Sequence, residues 1–195
     1  MIYLLRHGQT EFNRDRRMQG RLDSPLTELG VAQARRMGEC LKPFVDDPAR
    51  WSVVSSHLGR ARQTAEIVRA TLGLSCPLET DERLAEIHMG EWEGLQREEI
   101  PNVADKLAVH DWIFRSPGGE TYDAVAARLS AWLAEVDERD SRRRVVVSHG
   151  AAGRVLRHLY AKGPVDQLWH DPFPPQDAVF LMHHGVVGRI DDHGD

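Results

Sequence analysis

The sequence has little cysteine: Cys40 and Cys76 are its two cysteines, and they lie far apart in a chain of 195 residues. Two distant cysteines provide neither a disulfide framework nor the spacing of a metal site, so we expect a reducing, cytoplasmic setting. No apolar run approaches the ~18 residues that a membrane span needs. The apolar run at the N-terminus is too short for a signal peptide. We therefore expect no membrane partner.

An excess of positive charge is also lacking, since the formal net charge is −5 at pH 7. This balance argues against a general nucleic-acid binder. It also means that an anionic substrate must be held by local cations rather than attracted by the overall charge. The hydrophobic share of 41% and the charged share of 28% are ordinary for a folded domain. The length predicts a single domain over residues 1–195.

The apolar runs predict an α/β fold. Buried strands are predicted at residues 2–5, 51–56 and 145–148, and shorter strands at 76–80, 179–182 and 186–190. Helical spacing of apolar residues predicts helices that begin after Thr27 and end at Pro43, at 58–72, at 122–139 after Thr121, and from Gly150 to Gly163. This order implies a mostly parallel sheet between two helical layers, a three-layer α/β/α sandwich.

Three segments do not follow the strand and helix pattern. Residues 12–24 are polar and basic, and we expect a loop that covers the end of the first strand. Residues 84–120 carry several Gly and Pro residues and two Trp, which is typical of an excursion from the sheet; we predict a small cap at about 87–120. The run of three arginines at 142–144 is either an anion patch or, in the interpretation we favour, a solvated turn.

Two strands end in the same pair of residues. The first strand leads into Arg6-His7-Gly8, and the strand at 145–148 leads into His149-Gly150. A third strand end is followed by Arg60. Because parallel strands place their carboxyl ends at one edge of a sheet, these groups can meet there. A single His at a strand end is more often a surface residue, but two imidazoles with two guanidiniums suit a phosphoryl group.

The same residues belong to longer motifs. These are Leu5-Arg6-His7-Gly8-Gln9-Thr10-Glu11-x-Asn13, Gln19-Gly20-x-x-Asp23-x-Pro25-Leu26-Thr27, Ser56-x-Leu58-x-Arg60-Ala61, Leu84-x-Glu86-x-x-x-Gly90-x-Trp92-Glu93-Gly94, Pro117-Gly118-Gly119-Glu120 and Ser148-His149-Gly150. Together they resemble the signature of the histidine phosphatase superfamily, in its phosphoglycerate-mutase-like branch. The motifs extend over nearly the whole chain in the family's order. One departure is His57, where the family usually has a small residue or Pro.

The resemblance implies a role for each motif residue. His7 would be the nucleophile that forms a phosphohistidine. Charge stabilisation around the phosphoryl oxygens would come from Arg6, Arg60 and a protonated His149, with further hydrogen bonds from Asn13, Gln19 and Gly20. No metal and no cofactor would be needed.

Glu86 would be the general acid and then the general base, by the same resemblance. Spacing alone does not select it, because Glu82, Glu91 and Glu93 are equally near in sequence. Glu120 has two interpretations that remain open: it lies near the substrate entrance, or it caps the next helix beside Thr121.

The expected function is a phosphomonoester phosphatase of the histidine acid-phosphatase type, acting on a small phosphorylated metabolite. The alternative is a cofactor-dependent phosphoglycerate mutase. The mutases carry a longer basic excursion with paired arginines, whereas residues 95–116 here offer Arg97, Lys106 and Arg115 without an adjacent pair. A binding module without activity is disfavoured because His7 and Glu86 are present. A metalloenzyme is disfavoured because the two arginines would repel a cation.

Specificity is expected to depend on residues 90–119 and 171–176, and the sequence does not predict the oligomeric state.

Overall fold

The computed structural model describes residues 1–100, 111–136, 142–169 and 175–190. Its centre is a six-stranded sheet formed by β1 (Ile2–Arg6), β2 (Trp51–Ser56), β3 (Leu78–Asp81), β4 (Arg143–Ser148), β5 (Val179–His183) and β6 (Val186–Ile190). The strand order is β3-β2-β4-β1-β5-β6. The first four strands in that order run parallel, while β5 pairs antiparallel with β1 and β6 pairs antiparallel with β5. The predicted α/β class and mostly parallel sheet are confirmed.

Helices cover both faces of the sheet: α1 (Glu11–Arg14), α2 (Glu28–Leu41), α3 (Gly59–Thr71), α4 (Tyr122–Ala134) and α5 (Gly150–Ala161). Short 3₁₀ turns lie between the longer elements, at Lys42–Phe44, Pro48–Arg50, Glu82–Leu84, Gly90–Trp92, Arg97–Glu99, Trp112–Phe114 and Val165–Trp169. None of the helices in the described ranges is long and apolar enough to cross a membrane.

The alternation of side chains along β1 divides the core into two layers. Leu5 faces α2 and α3, in a buried cluster that includes Met37 and Ala65. Leu4 faces the other way, toward α4 and α5, in a cluster that includes Leu129. A central strand that is apolar on both faces is what a sheet covered by helices on both sides requires.

Two predicted helix starts are confirmed by their caps. The Thr27 hydroxyl accepts a hydrogen bond from the backbone N–H of Gly30 at 3.1 Å, and the Thr121 hydroxyl accepts one from Ala124 at 3.3 Å. The prediction that this helix continues to about residue 139 is wrong for the residues that the structure describes. α4 ends at Ala134, and tighter i→i+3 hydrogen bonds follow it. Residues 137–141 lie outside the described ranges.

Two further local predictions are corrected by the structure. The segment 12–24, expected to be a loop throughout, begins within α1, because Thr10 and Asn13 form a reciprocal capping box there. The arginine run expected to be a solvated turn lies partly in β4, which begins at Arg143. Arg143 pairs with Asp46 at 2.9 Å and lies over the ring of Trp51. These two contacts stabilise the arginine at the start of the strand.

Candidate active site

Three neighbouring strands end at the same edge of the sheet. β1 is followed by His7, β4 by His149, and β2 leads into α3, which carries Arg60. A cavity of about 540 Å³ opens at this edge. Its wall includes Arg6, His7, Asn13, Gln19, Gly20, Arg60 and Glu86, all of which the sequence singled out, together with Arg16, Arg17, Met18, Met89, Arg97, Glu98, Trp112, Ile113, Gly150, Ala151 and Gln176.

The hydrogen bonds of His7 define its tautomer. Its Nδ1 lies 2.8 Å from the carbonyl oxygen of Gly8, which can only accept, so Nδ1 carries the proton. Its Nε2 lies 3.3 Å from the Nε–H of Arg60, which can only donate, so Nε2 carries a lone pair. The imidazole is therefore held neutral by its partners, with its unprotonated nitrogen on the side of Arg60.

Electrostatics act in the same direction on His7. Burial lowers its pKa well below 6.5, and the positive charges of Arg60 and Arg6 lower it further, against the opposing hydrogen bond to Gly8. Only 3% of the residue is exposed. A buried imidazole between two guanidiniums stays unprotonated at neutral pH, which is the state that a nitrogen nucleophile requires.

Arg60 is held in place by the loop that precedes α2. Its Nη1 donates to the carbonyl of Leu22 at 2.8 Å and to Asp23 at 3.2 Å, and its Nη2 donates to the carbonyl of Gly20 at 2.7 Å. With the bond to His7, four of the five guanidinium N–H groups are used, and one on Nη2 is left for a ligand. Arg60 is 1% exposed, so its charge acts in a poorly solvated environment.

Arg6 and His149 carry buried polar atoms that have no partner in the described residues. These atoms are Nε of Arg6 and both ring nitrogens of His149. The guanidinium of Arg6 lies over Gly150, where an added Cβ would come within 3.2 Å of its Cζ. Unpaired buried donors are costly, and an anion placed between them would satisfy them.

His149 lies beside His7, with a distance of 5.1 Å between the centroids of the two rings. It does not belong to the wall of the 540 Å³ cavity; it lines a separate small cavity together with Arg6, Arg157 and Phe180. Burial and then the charge of Arg60 lower the pKa of His149 well below 6.5, so the unliganded ring is neutral. The protonated His149 that the family resemblance implied therefore requires a bound anion to raise that pKa.

Glu86 reaches the site from the segment after β3. Its Oε1 accepts hydrogen bonds from the backbone N–H groups of Ile87 at 3.0 Å and Ala152 at 2.9 Å, and its Oε2 accepts one from Ala151 at 3.3 Å. The carboxyl group therefore sits at the N-terminus of α5, immediately after His149. This long-range contact places Glu86 on the cavity wall beside His7.

Asn13 is oriented by its partners. Its Oδ1 accepts from the N–H of Thr10 at 3.2 Å and from Nε2 of Gln176 at 2.7 Å, which leaves its amide NH₂ free to donate. Gln19 accepts from the Thr10 hydroxyl and donates to the Ser24 hydroxyl, so its side chain mainly orders the loop. Gly20 has a φ of +52° and contributes its carbonyl to Arg60.

Several cavity residues had not been assigned to the site from the sequence. Arg16, Arg17 and Met18 belong to the segment expected to be a covering loop, and the signal available was its high content of arginine. Backbone bonds of 2.8 Å and 2.7 Å join Met18 to Leu95 and Gly94, which brings this segment against the excursion. Of the two predicted specificity segments, Arg97, Trp112 and Gln176 line the cavity, while Lys106 and residues 171–174 lie outside the described ranges.

Glu120 does not line the cavity, and it pairs with Arg21 and Arg128, both at 3.0 Å. The hydroxyl of Thr121, not Glu120, caps α4. The two tryptophans differ in their positions: Trp92 is buried, and its ring stacks 6.0 Å from that of Trp112, which lines the cavity.

The fold and these contacts define an α/β protein with a cationic cavity at the carboxyl edge of its sheet, built around a neutral imidazole. The family model of the histidine phosphatase superfamily (branch 1) matches residues 2–190. The chain belongs to this superfamily.

Two kinds of relative resemble the chain. It is 36% identical over 164 residues to probable phosphoglycerate mutase GpmB of Salmonella paratyphi C (strain RKS4594), covering 77% of this chain and 70% of that protein. The solved structure of a mycobacterial glucosyl-3-phosphoglycerate phosphatase in complex with VO3 has a TM-score of 0.78 and 32% identity, covering 92% of this chain and 88% of that one. Bacillus stearothermophilus YhfR has a TM-score of 0.79 and 34% identity, covering 100% and 96%.

Proposed function

We propose that the protein is a metal-independent phosphomonoester phosphatase that acts through a phosphohistidine on His7. The observation that carries this proposal is the pair of hydrogen bonds on His7, because they leave the lone pair on Nε2. The named phosphatase among its structural relatives supports the same class of reaction.

In the first half-reaction, Nε2 of His7 attacks phosphorus and the P–O ester bond breaks. The departing oxygen takes a proton from the carboxyl group of Glu86, which is the carboxyl on the cavity wall that is fixed at the start of α5. In the second half-reaction, Glu86 removes a proton from water as the water attacks phosphorus. The P–N bond then breaks, releasing inorganic phosphate and restoring the neutral His7.

The charge that develops on the phosphoryl oxygens is met by preorganised donors. Arg6 and His149 offer the buried unpaired nitrogens, Arg60 offers its remaining N–H group, and Asn13 offers its amide. A phosphoryl dianion between these groups would raise the pKa of His149 by the attraction of opposite charges. Proton uptake by His149 would then accompany substrate binding.

The substrate is expected to carry a second anionic group. Arg16, Arg17 and Arg97, here called the arginine rim, line the cavity, and none has an ion-pair partner in the part of the chain that the structure describes. Arg17 donates to the carbonyl of Gly94 at 2.7 Å, and Arg97 lies 5.1 Å from the ring centroid of Trp112. By contrast, the neighbouring Arg14 pairs with Asp15 at 2.8 Å.

Guanidiniums on a cavity wall that lack a carboxylate partner favour a ligand with a carboxylate or a second phosphate. The names of two of the three relatives point to the same chemistry, since they contain phosphoglycerate, a phosphate ester with a carboxylate. Glu98 on the same wall opposes a dense negative charge, so one additional carboxylate is the better match.

Matched substrates test this substrate class. We expect 3-phosphoglycerate to be hydrolysed with a kcat/KM at least ten times that of glycerol 3-phosphate, which lacks the carboxylate. The changes Arg16→Met and Arg97→Met should each raise KM for 3-phosphoglycerate about three- to fivefold, near the upper end of what one exposed ion pair contributes. The control Arg35→Met removes an exposed arginine from α2 and should change neither KM by more than twofold. An equal effect on both substrates would exclude the rim as a carboxylate site.

A phosphoglycerate mutase is the second candidate, and it is supported by the 36% identity to a protein of that name. The two functions differ in where the phosphoryl group of His7 goes, to water or back to a phosphoglycerate. Incubation of 3-phosphoglycerate with a strong chelator, with and without a bisphosphate primer, separates them. We expect phosphate release that is independent of primer and chelator. Isomer formation that depends on the primer would overturn the hydrolase proposal.

A further inference from the structure

Arg128 on α4 uses all five N–H groups of its guanidinium. Nη1 donates to the carbonyls of Arg83 at 2.6 Å and Ala85 at 2.8 Å, and Nη2 donates to the carbonyl of Glu86 at 3.3 Å. Nε and Nη2 also donate to the two carboxylate oxygens of Glu120, at 3.0 Å and 3.1 Å. A planar guanidinium with every donor engaged cannot shift without losing several charge-assisted bonds at once.

Glu120 connects the segment around Glu86 to two other parts of the chain. Its Oε2 accepts the backbone N–H of His88 at 2.9 Å, and its own N–H donates to the carbonyl of His88 at 2.8 Å. Its Oε1 also accepts from Arg21 at 3.0 Å. Burial opposes its ionisation, but the bonds from Arg128 and His88 hold the pKa of Glu120 below its usual value. The pair is therefore ionised at neutral pH.

We infer that Arg128 and Glu120 are positioning residues for Glu86. Arg128 holds the peptide groups on either side of the Glu86 α-carbon, while the start of α5 holds the carboxyl group at the other end of the side chain. This inference rests on the proposed role of Glu86 as proton donor. It also assigns a role to Glu120, which lies outside the cavity and acts through Arg128.

Contacts other than those of Arg128 also hold the segment around Glu86 against the rest of the domain. Leu84 and Ile87, on either side of Glu86, are both fully buried in the core beside α4 and α5. The Ser148 hydroxyl also donates to the carbonyl of Leu84 at 2.8 Å. Loss of the Arg128 fork is therefore expected to leave the segment packed but to allow the peptide at residues 85–86 to rotate. A shift of about 1 Å in a catalytic group can cost on the order of 100-fold in rate.

A misplaced proton donor can be detected by comparing substrates whose leaving groups differ in their need for a proton. Phenolate is a poor leaving group and needs protonation, whereas 2,4-dinitrophenolate is stable without it. The ratio of kcat/KM for 2,4-dinitrophenyl phosphate to that for phenyl phosphate thus measures proton donation during transfer to His7. A general loss of folded enzyme lowers both values equally and leaves the ratio unchanged.

For Arg128→Met and Arg128→Lys we expect kcat/KM for phenyl phosphate to fall about 10- to 100-fold, and that for 2,4-dinitrophenyl phosphate by less than threefold. Lys keeps the charge but supplies three donors in place of five. If Arg128→Met fails to fold, Arg128→Lys and Glu120→Gln decide the question. Glu120→Gln should move the ratio in the same direction by a smaller factor.

Two controls separate the possible outcomes. Arg143→Met removes another arginine–carboxylate pair, at the end of β4 that is remote from the cavity. It should leave the ratio within twofold of wild type. Glu86→Gln should raise the ratio at least as much as the Arg128 variants. If Glu86→Gln leaves the ratio unchanged, the proposed role of Glu86 fails and the inference fails with it. If Glu86→Gln raises the ratio but folded Arg128→Lys and Arg128→Met do not, Arg128 is structural only, and the proposed function stands.

Discussion

The Nε of Arg60 lies 3.3 Å from Nε2 of His7, and this is the longest of the four hydrogen bonds that the Arg60 guanidinium makes. The other three connect Arg60 to Gly20, Leu22 and Asp23, which fixes the guanidinium before a ligand arrives. A weak bond to the proposed nucleophile is readily exchanged for one to a phosphoryl oxygen. Arg60 therefore preserves the neutral state of His7 and, in the proposed mechanism, is positioned to receive the phosphoryl group that His7 attacks.

Arg60→Lys should lower kcat/KM at least 100-fold. The lysine retains a positive charge, but it lacks the planar fork that contacts the Gly20–Asp23 loop and His7 together. Steady-state hydrolysis of a phosphomonoester gives the measurement. Arg62→Lys, at an exposed position on the same helix, is the matched control and should remain within twofold of wild type. Retention of more than a tenth of wild-type kcat/KM by Arg60→Lys would contradict the role given to the guanidinium.

Gly150→Ala should weaken the binding of phosphate analogues without unfolding the protein. An added Cβ would lie 3.2 Å from Cζ of Arg6, so the guanidinium must shift by a few tenths of an ångström from its present position at the cavity wall. We expect the inhibition constant for vanadate to rise about tenfold, consistent with the loss of one charge-assisted contact.

Gly153→Ala, one turn further along α5, is the control for this change. Its nearest neighbours are 3.9 Å from the added Cβ, which is ordinary contact, and alanine favours a helix over glycine by about 1 kcal/mol. It should keep the wild-type inhibition constant and raise the thermal midpoint. The same inhibition constant for both variants would show that Arg6 does not contact the bound anion.

The two buried histidines predict a loss of stability in mild acid. Both have pKa values well below 6.5 in the folded protein, so the unfolded chain binds more protons as the pH falls through 6.5. Their contribution to stability is complete above pH 6.5 and decreases by about 1.4 kcal/mol for each pH unit and each histidine below it. Denaturant titrations between pH 7.5 and 5.5 measure this slope.

The variant His7→Asn/His149→Asn should show a flatter dependence of unfolding free energy on pH over that window. Vanadate should also flatten it in the wild type, because a bound anion raises the pKa of His149. An unchanged slope in the double variant would mean that other groups cause the acid sensitivity.

The sequence was sufficient to predict the groups that follow apolar strands. Arg6, His7 and His149 each come directly after a buried run, and the parallel sheet brings those strand ends together. This information is local, since it depends on the strand and the two or three residues after it.

Glu86 and the arginine rim could not be placed in the same way. The carboxyl group of Glu86 is fixed by backbone donors 65 and 66 residues later in the chain, and Arg17 by a carbonyl 77 residues later. No periodicity within a segment encodes such contacts. The resemblance to a family selected Glu86 from its neighbouring glutamates. The arginine rim depends on the contact between residues 16–18 and residues 94–97, which the sequence does not predict.

Trapping of the phosphoenzyme tests the central claim most directly. In Glu86→Gln, 2,4-dinitrophenyl phosphate can still phosphorylate His7, since its leaving group needs no proton, whereas hydrolysis lacks its base. Quenching in alkali should give close to one phosphoryl group per chain, stable to alkali and labile to acid, located on His7. His7→Ala should be folded, unlabelled and nearly inactive. An unlabelled Glu86→Gln enzyme that still turns over, or substantial turnover by His7→Ala, would contradict the phosphohistidine mechanism.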